Sequence, residues 1–165
     1  MDPAELIRMM NDFLTPMTSA VLENKGFVDK YMGDAMMTFW NAPVDDPNHA
    51  RNACKAALEM ATEVWAKDAA GTGVTVNIVN PGAGANTPGM AEEARALSAA
   101  GKMARLVEPE EMVPPILFVA SRDADRVNGW RFDANLWDPA LAPREAAWLA
   151  GRPAGFVFHP HRDLP

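Results

Sequence analysis

A β-branched run in the middle of the chain constrains the fold more than any other feature. Residues 74–79 read Val-Thr-Val-Asn-Ile-Val, follow a Gly-Thr-Gly break and end at Asn80, Pro81 and Gly82. A short apolar run bounded by turn formers is typical of a strand, and one this rich in valine and isoleucine is typical of a parallel strand covered on both faces. The sequence therefore predicts a fold of the α+β or mixed α/β class.

The remaining patterns are mostly helical. Residues 3–24 carry apolar side chains at helical spacing after Asp2, a candidate cap, and Pro16 within this stretch predicts a kink or a division. A second helix is predicted over residues 47–67. Three further helical stretches are predicted at residues 90–100, 108–120 and 143–150.

Between the first two helices lies a candidate β-hairpin. Apolar-rich residues 27–32 and 35–40 flank the pair Gly33-Asp34, which is a turn signal. Residues 41–47 are then predicted to form a loop, because they are rich in proline and other turn-forming residues. A turn at Asn128-Gly129 predicts one more short strand at residues 130–132.

Charge and composition exclude several classes of protein. The chain has 22 acidic and 15 basic side chains and a net charge of −7, so it lacks the basic excess of a general nucleic-acid binder. Its single cysteine, Cys54, cannot form an internal disulfide. It has neither a signal peptide nor an apolar stretch of about 20 residues, and we expect a soluble cytoplasmic chain. His49, His159 and His161 are too few and too scattered to predict a zinc site.

Residues 28–43 carry a first family resemblance. Together with residues 14–17 and 46–54, they resemble the class III adenylate/guanylate cyclase catalytic domain, a lyase that makes cyclic AMP in signal transduction. The resemblance implies that Asp34 helps to hold the Mg²⁺ or Mn²⁺ ions of a two-metal centre. It also implies that Lys30 binds the substrate by reading the adenine edge of ATP.

Residues 65–82 carry a second resemblance. They resemble the end of the active-site helix and the sixth strand of a short-chain dehydrogenase/reductase, an NAD(P)-dependent oxidoreductase with a Rossmann fold. Residues 108–113 and 118–129 resemble its last helix and the turn into the final strand. The resemblance implies that Pro81, Gly82 and Thr87 line the nicotinamide end of NAD(P), as expected of a loop at the carboxyl end of a strand.

Each resemblance lacks parts that its chemistry needs. The cyclase family has another metal-binding aspartate upstream and a catalytic asparagine and arginine downstream, and no such stretches occur here. The dehydrogenase motifs Thr-Gly-x-x-x-Gly-x-Gly and Tyr-x-x-x-Lys are also missing, since Tyr31 is the only tyrosine and residue 35 is alanine. We therefore expect both catalytic sets to be incomplete.

These observations predict a fusion. Residues 1–62 would form a partial cyclase-like lobe and residues 64–165 a partial dehydrogenase-like lobe, with one helix shared between them. We expect neither lobe to have its full sheet, so residues 74–79 would lack parallel neighbours and the exposed edges would favour self-association.

Three functions remain open from the sequence. The favoured hypothesis is a catalytically inactive fusion. The chain could instead be an accessory subunit that supplies Lys30 and Asp34 to an intact cyclase partner. The third hypothesis is a non-catalytic dimerising module. No nucleic acid or membrane partner is expected.

Overall fold

A computed structural model describes residues 2–154, and these form a mixed α/β structure. Within this range lie five α-helices, a two-stranded sheet and a three-stranded sheet. His159 and His161 lie outside the described residues. No helix between residues 2 and 154 combines the length and the apolar character needed to cross a bilayer.

Helix α1 spans Pro3–Glu23, as the apolar periodicity predicts. Asp2 occupies the N-cap position, but its side chain makes no capping hydrogen bond. Pro16 is buried inside the helix without dividing it, so the predicted division is wrong. Asn24 ends the helix, its side-chain amide donating to the Ala20 carbonyl at 2.8 Å.

The predicted hairpin is confirmed. Strands β1 (Phe27–Met32) and β2 (Ala35–Phe39) pair antiparallel around the two-residue turn, where Gly33 adopts a φ of +64°. Only glycine takes up such a conformation without a steric penalty. The Tyr31 hydroxyl lies 2.7 Å from the Thr18 hydroxyl, which holds the hairpin against α1.

Helix α2 spans His49–Asp68 and packs against α1. It begins two residues later than predicted because Asp46 organises the preceding turn. The Asp46 carboxylate accepts hydrogen bonds from the Asn48 backbone at 2.9 Å and from the Asn52 side chain at 2.7 Å. These bonds hold the pKa of Asp46 below its usual range.

The central strand is shorter than predicted. Strand β3 covers only Ile78–Asn80, whereas residues 74–77 lie outside the sheet. The reason is local, because the Val76 amide donates to the Asn128 side chain and the Val76 carbonyl accepts from the Gly129 amide, both at 2.8 Å. The backbone at Val76 is thus satisfied by a turn rather than by a neighbouring strand.

The expected lack of a parallel neighbour for this strand is also corrected. Strand β4 (Trp130–Asp133) pairs parallel with β3, and β5 (Gly151–Pro153), which the sequence did not predict, pairs antiparallel with β4. Ile78 is buried while Val79 is only half-buried, so β3 is not covered on both faces.

Three short helices complete the described structure: α3 (Glu92–Ala99), α4 (Val113–Val119) and α5 (Pro143–Ala150). A 3₁₀ turn at Pro109–Met112 precedes α4, so the predicted helix over residues 108–120 is split. The adjacent prolines 114 and 115 lack the amide hydrogens that a continuous α-helix would need. A core beside β4 consists of Phe118, Ala124, Val127, Trp130, Phe132 and Ala147.

Candidate functional site

The loop after β3 is the candidate cofactor edge, and Gly82 fixes its shape. Gly82 has a φ of +80°, and its amide donates to the Asn80 side chain. A Cβ atom on Gly82 would lie 1.9 Å from the Asn135 side-chain oxygen. The Asn135 side chain thus occupies the space that a Cβ atom at position 82 would need, so any other residue there would require this exposed side chain to move and would have to adopt the positive φ.

Helix α2 places two cationic side chains on this loop. The Lys55 ammonium donates to the Gly82 carbonyl at 3.3 Å, and the Arg51 guanidinium donates to the Ala83 carbonyl. Residues four apart lie on the same face of a helix, which is why both reach the loop. Burial lowers the pKa of Lys55, and the positive charges of Arg51 and Arg131 lower it further.

The sequence reading missed this pair. Arg51 and Lys55 have the spacing of the Tyr-x-x-x-Lys motif, with arginine in the place of tyrosine. A signal was present, because the end of this same helix resembles the active-site helix of the dehydrogenase family. Of the two lysines on this helix, Lys55 is the one that contacts the loop, whereas Lys67 forms a surface ion pair with Glu63 at 2.9 Å.

One turn further along α2, Glu59 is the centre of a buried ionic network. Its carboxylate contacts the Arg131 guanidinium of β4 and lies 3.1 Å from that of Arg152 in β5. Arg131 also pairs with Asp133 at 2.9 Å, and Arg152 pairs with Glu23 of α1 at 3.1 Å. The network therefore connects both long helices to the three-stranded sheet.

The carboxylate of Glu23 is the least satisfied member of this network. Its Oε1 atom is buried without a hydrogen-bond partner. Burial raises the pKa of Glu23, the nearby cation Arg152 opposes this rise, and the like charge of Glu59 adds to it. At Arg131, burial acts to lower the pKa, but Asp133 and Glu59 outweigh it and the net direction is upward.

Thr87, the third residue of the predicted cofactor loop, is exposed. Its carbonyl accepts a hydrogen bond from the Arg95 guanidinium at 2.7 Å, and its amide donates to the Ala85 carbonyl at 3.0 Å. Pro81 and Gly82 are half-buried at the start of the same loop.

The predicted cyclase residues lie on the other sheet. Asp34 is exposed in the hairpin turn, and Lys30 on β1 is exposed and 3.5 Å from Asp29. Among residues 2–154 there is no group of three or more His, Cys, Asp or Glu side chains placed to hold a metal ion. The structure thus brings Lys30 and Asp34 into one hairpin without grouping them with Pro81, Gly82 and Thr87.

Comparison with curated proteins finds adenylate cyclases. The chain is 33% identical over 58 residues to "Adenylate cyclase 1" of Rhizobium meliloti (strain 1021), covering 35% of this chain and 9% of that protein. It is 42% identical over 60 residues to "Adenylate cyclase" of Anabaena cylindrica, covering 36% of this chain and 12% of that protein. The matched region is thus about a tenth of the length of these relatives. No solved structure matches the chain.

Comparison with protein families finds the enoyl-(acyl carrier protein) reductases, which are of the short-chain dehydrogenase/reductase type. The match covers residues 36–134, more than half of the chain. It includes Arg51, Lys55 and the loop after β3, and it begins before residues 62–64, where we predicted the junction. The two-part resemblance is confirmed, and the chain belongs to the enoyl-(acyl carrier protein) reductase family.

Proposed function

We propose that these 165 residues are a fusion of an adenylate cyclase fragment with a reductase-family segment, and that by themselves they catalyse neither reaction. The observation that carries this proposal is at the loop after β3. Its carbonyl groups at Gly82 and Ala83 accept hydrogen bonds from Lys55 and Arg51. The polar groups of the candidate cofactor edge are thus engaged by the chain itself.

The replacement of tyrosine by Arg51 supports the absence of reductase activity. A tyrosine hydroxyl can give up and regain a proton, whereas an arginine guanidinium stays protonated and has no acceptor atom. Lys55 remains, but a lysine alone cannot shuttle the substrate proton through a hydroxyl that is missing.

The residues present do not fit NAD(P). Binding of its pyrophosphate would need a glycine-rich turn at the start of a helix, and no Thr-Gly-x-x-x-Gly-x-Gly occurs in these residues. At the nicotinamide end, the Asn135 side chain occupies the space where a Cβ atom on Gly82 would stand. We infer that Pro81, Gly82 and Thr87 retain the shape of a cofactor loop without its binding capacity.

The hairpin does not fit a two-metal centre either. Two divalent ions need several carboxylate or carbonyl ligands to hold them about 4 Å apart. Asp34 is a single exposed carboxylate, and the described residues hold no acidic cluster that could complete the ligand set. We infer that Lys30 and Asp34 cannot bind Mg²⁺-ATP productively without other residues.

The test is a pair of turnover assays on the purified chain. One follows NADPH oxidation with a short enoyl thioester, and the other follows cyclic AMP formation from ATP with Mn²⁺. We expect both rates to equal the protein-free blank. Turnover of the thioester that the K55M variant loses, or of ATP that the D34N variant loses, would overturn the proposal, because these variants distinguish intrinsic activity from contamination.

The exposure of Lys30 and Asp34 favours a second candidate, an accessory subunit of a composite cyclase site. Both side chains are open to a partner on one hairpin. Mixing the chain with a cyclase whose own hairpin aspartate is replaced by alanine would test it. Restored cyclic AMP formation that the D34N variant does not give would support this function, and no restoration would exclude it for that partner.

Self-association is the third candidate, and apolar exposure on α1 and the hairpin favours it. Ile7 is 62% exposed, and Leu6, Phe27 and Met32 are each close to half exposed. Where exposed apolar side chains are contiguous, they commonly mark interaction surfaces. Light scattering over a range of concentrations should then show a dimer that the I7D variant dissociates, whereas a monomer at every concentration would exclude it.

A further inference from the structure

A groove between α1 and α2 leaves an apolar surface open to solvent. It has a volume of about 140 Å³, and its apolar lining comes from both helices: Phe13, Pro16, Met17, Met60 and Val64. Pro16 is buried, whereas Phe13 is 39% exposed and Val64 is 36% exposed. Because these two side chains already contact solvent, a molecule can reach the groove in the structure as it stands.

The size and the lining of this groove suit a single aromatic ring. An apolar cavity of about 150 Å³ can hold one benzene molecule, so the groove has room for one ring. Methionine sulfur atoms make favourable contacts with aromatic rings, and each helix places one methionine in the lining, Met17 and Met60. Phe13 adds a ring that can pack edge-to-face against a bound ring.

Charged side chains of α2 make the groove favour a cation. The lining includes Glu63, Lys67 and Asp68, so two carboxylates face one ammonium group and negative charge is in excess. Such an excess attracts cations and repels anions. The net charge of −7 on the whole chain acts in the same direction.

Glu63 is the carboxylate placed to hold the cationic group. Its side chain is only 14% exposed, and its Oε1 atom accepts a hydrogen bond from Lys67 Nζ at 2.9 Å. Its Oε2 atom accepts no hydrogen bond from residues 2–154 and remains accessible to solvent. A carboxylate accepts at both oxygens, so a second ammonium group can bind Oε2 while Lys67 keeps Oε1.

We propose that this groove binds a monocyclic arylalkylammonium ion, whose ring contacts Met17 and Met60 and whose ammonium group donates to Glu63 Oε2. A neutral aromatic molecule would gain the apolar contacts alone, and an aromatic carboxylate would be repelled by Glu63 and Asp68. The proposal goes beyond the proposed function and does not depend on it, because none of the lining residues belongs to the hairpin or to the loop after β3.

Benzylammonium is the probe for the test, and the carbon-13 methyl signals of the methionines in the whole chain are the readout. We expect a Kd of about 1 mM, with saturable ring-current shifts at Met17 and Met60 and none at Met103, which lies outside the groove. Benzyl alcohol should bind about fivefold more weakly because it lacks the charge, and phenylacetate should bind more weakly still.

Two variants should change the affinity in opposite directions. E63Q removes the acceptor charge and should weaken benzylammonium binding about fivefold, whereas K67M removes the competing cation and should strengthen it about twofold. E93Q is the matched control, because Glu93 is an exposed glutamate on α3, and its affinity should equal that of the wild type. A misfolded variant would not bind more tightly, so K67M guards against a folding artefact.

The absence of saturable methyl shifts in the wild type would overturn the proposal. Equal benzylammonium affinity in the wild type and E63Q, or binding of phenylacetate as tight as that of benzylammonium, would overturn it as well. Because α1 is also the candidate self-association surface, the titration is repeated at a tenfold lower chain concentration. Shifts at Met17 and Met60 that follow the chain concentration instead of the ligand concentration would mean that a second copy occupies the groove, which would exclude the ligand.

Discussion

At the scale of single residues, Glu23 and Glu111 respond to their surroundings in opposite directions. Glu111 is partly exposed, but the Arg105 guanidinium and the Glu108 amide lower its pKa to about 2. Glu23 has an arginine partner as well, but burial outweighs it and raises the pKa. The balance between desolvation and donated hydrogen bonds, rather than the presence of a cation, decides the direction.

The Glu111 carboxyl should titrate far below an ordinary glutamate. Because its folded pKa is lowered from 4.5 to about 2, it contributes stability above pH 4.5 that is lost as the pH falls towards 2. Carboxyl-selective NMR should find its midpoint near 2 in the wild type. The R105Q variant should return the midpoint towards 4.5, and a wild-type midpoint already at 4.5 would contradict the role given to Arg105.

Glu23 should give the opposite pH dependence. Its folded pKa lies above 4.5, so the folded state binds the proton more tightly than the unfolded chain, and stability falls as the pH rises through the interval between the two values. The E23Q variant should lack this fall. Urea unfolding at a series of pH values should therefore show E23Q gaining stability relative to the wild type with rising pH, and a constant difference would argue against it.

At the scale of elements, α2 determines how the parts of the chain meet. Arg51, Lys55 and Glu59 are spaced four residues apart on one face, and all three contact the segment after β3 or the sheet itself. The residues that this helix face contacts lie far along the chain. Arg131, for example, follows Glu59 by 72 residues. One helix face thus carries both the contacts to the candidate loop and the buried ionic network.

Removing the central carboxylate of this network should be strongly destabilising. The E59A variant removes the buried carboxylate that Arg131 and Arg152 share, so that Arg131 keeps only Asp133 and Arg152 only Glu23, and breaking a buried ion pair in this way typically costs about 3–5 kcal/mol. The matched control is E63A on the same helix, where the lost ion pair with the exposed Lys67 is worth about 0.5 kcal/mol. Similar unfolding free energies for the two variants would contradict the network's importance.

The loop after β3 offers a second test at this scale. G82A places a Cβ atom at a positive φ and against the Asn135 side chain, whereas G71A does only the former, because nothing lies within 4 Å of a Cβ atom built on Gly71. We expect G71A to lose about 1–2 kcal/mol and G82A to lose more. Adding N135A should recover part of the G82A loss in thermal unfolding, and no recovery would mean that the close approach to Asn135 is not the cause.

Locally determined elements could be predicted, and elements defined by distant partners could not. The hairpin follows from Gly33-Asp34 and α1 from its apolar period, because those signals lie within each segment. Strand β5 has no β-branched residue, and only its pairing with β4 makes it a strand. Residues 74–77 have the composition of a strand, but the backbone groups of Val76 hydrogen-bond to Asn128 and Gly129 instead of to a neighbouring strand.

The candidate site divides in the same way. The loop at Pro81 and Gly82 could be predicted from its turn-forming residues together with the family resemblance. Its contacts with Arg51 and Asn135 depend on tertiary packing and could not be read from local pattern. Lys55 is the residue that sequence reasoning could have found, since its helix was already matched to the active-site helix.

At the scale of the whole molecule, the cyclase-like and reductase-like regions are joined by packing as well as by sequence. Helices α1 and α2 pack together, and Glu23 and Glu59 connect them to β4 and β5 through Arg131 and Arg152. The reductase match begins at residue 36, inside the hairpin that carries the cyclase resemblance. The two family signals therefore overlap, and the division at residues 62–64 stays a prediction.

Cofactor binding tests the central claim most directly, because it asks whether the loop after β3 still serves as a dinucleotide edge. NADPH fluorescence is measured while the purified chain is titrated in, with the K55M variant as control. We predict no saturable change for either protein, since Arg51 and Lys55 engage the loop and the phosphate turn is missing. A saturable change in the wild type that K55M weakens would contradict this claim.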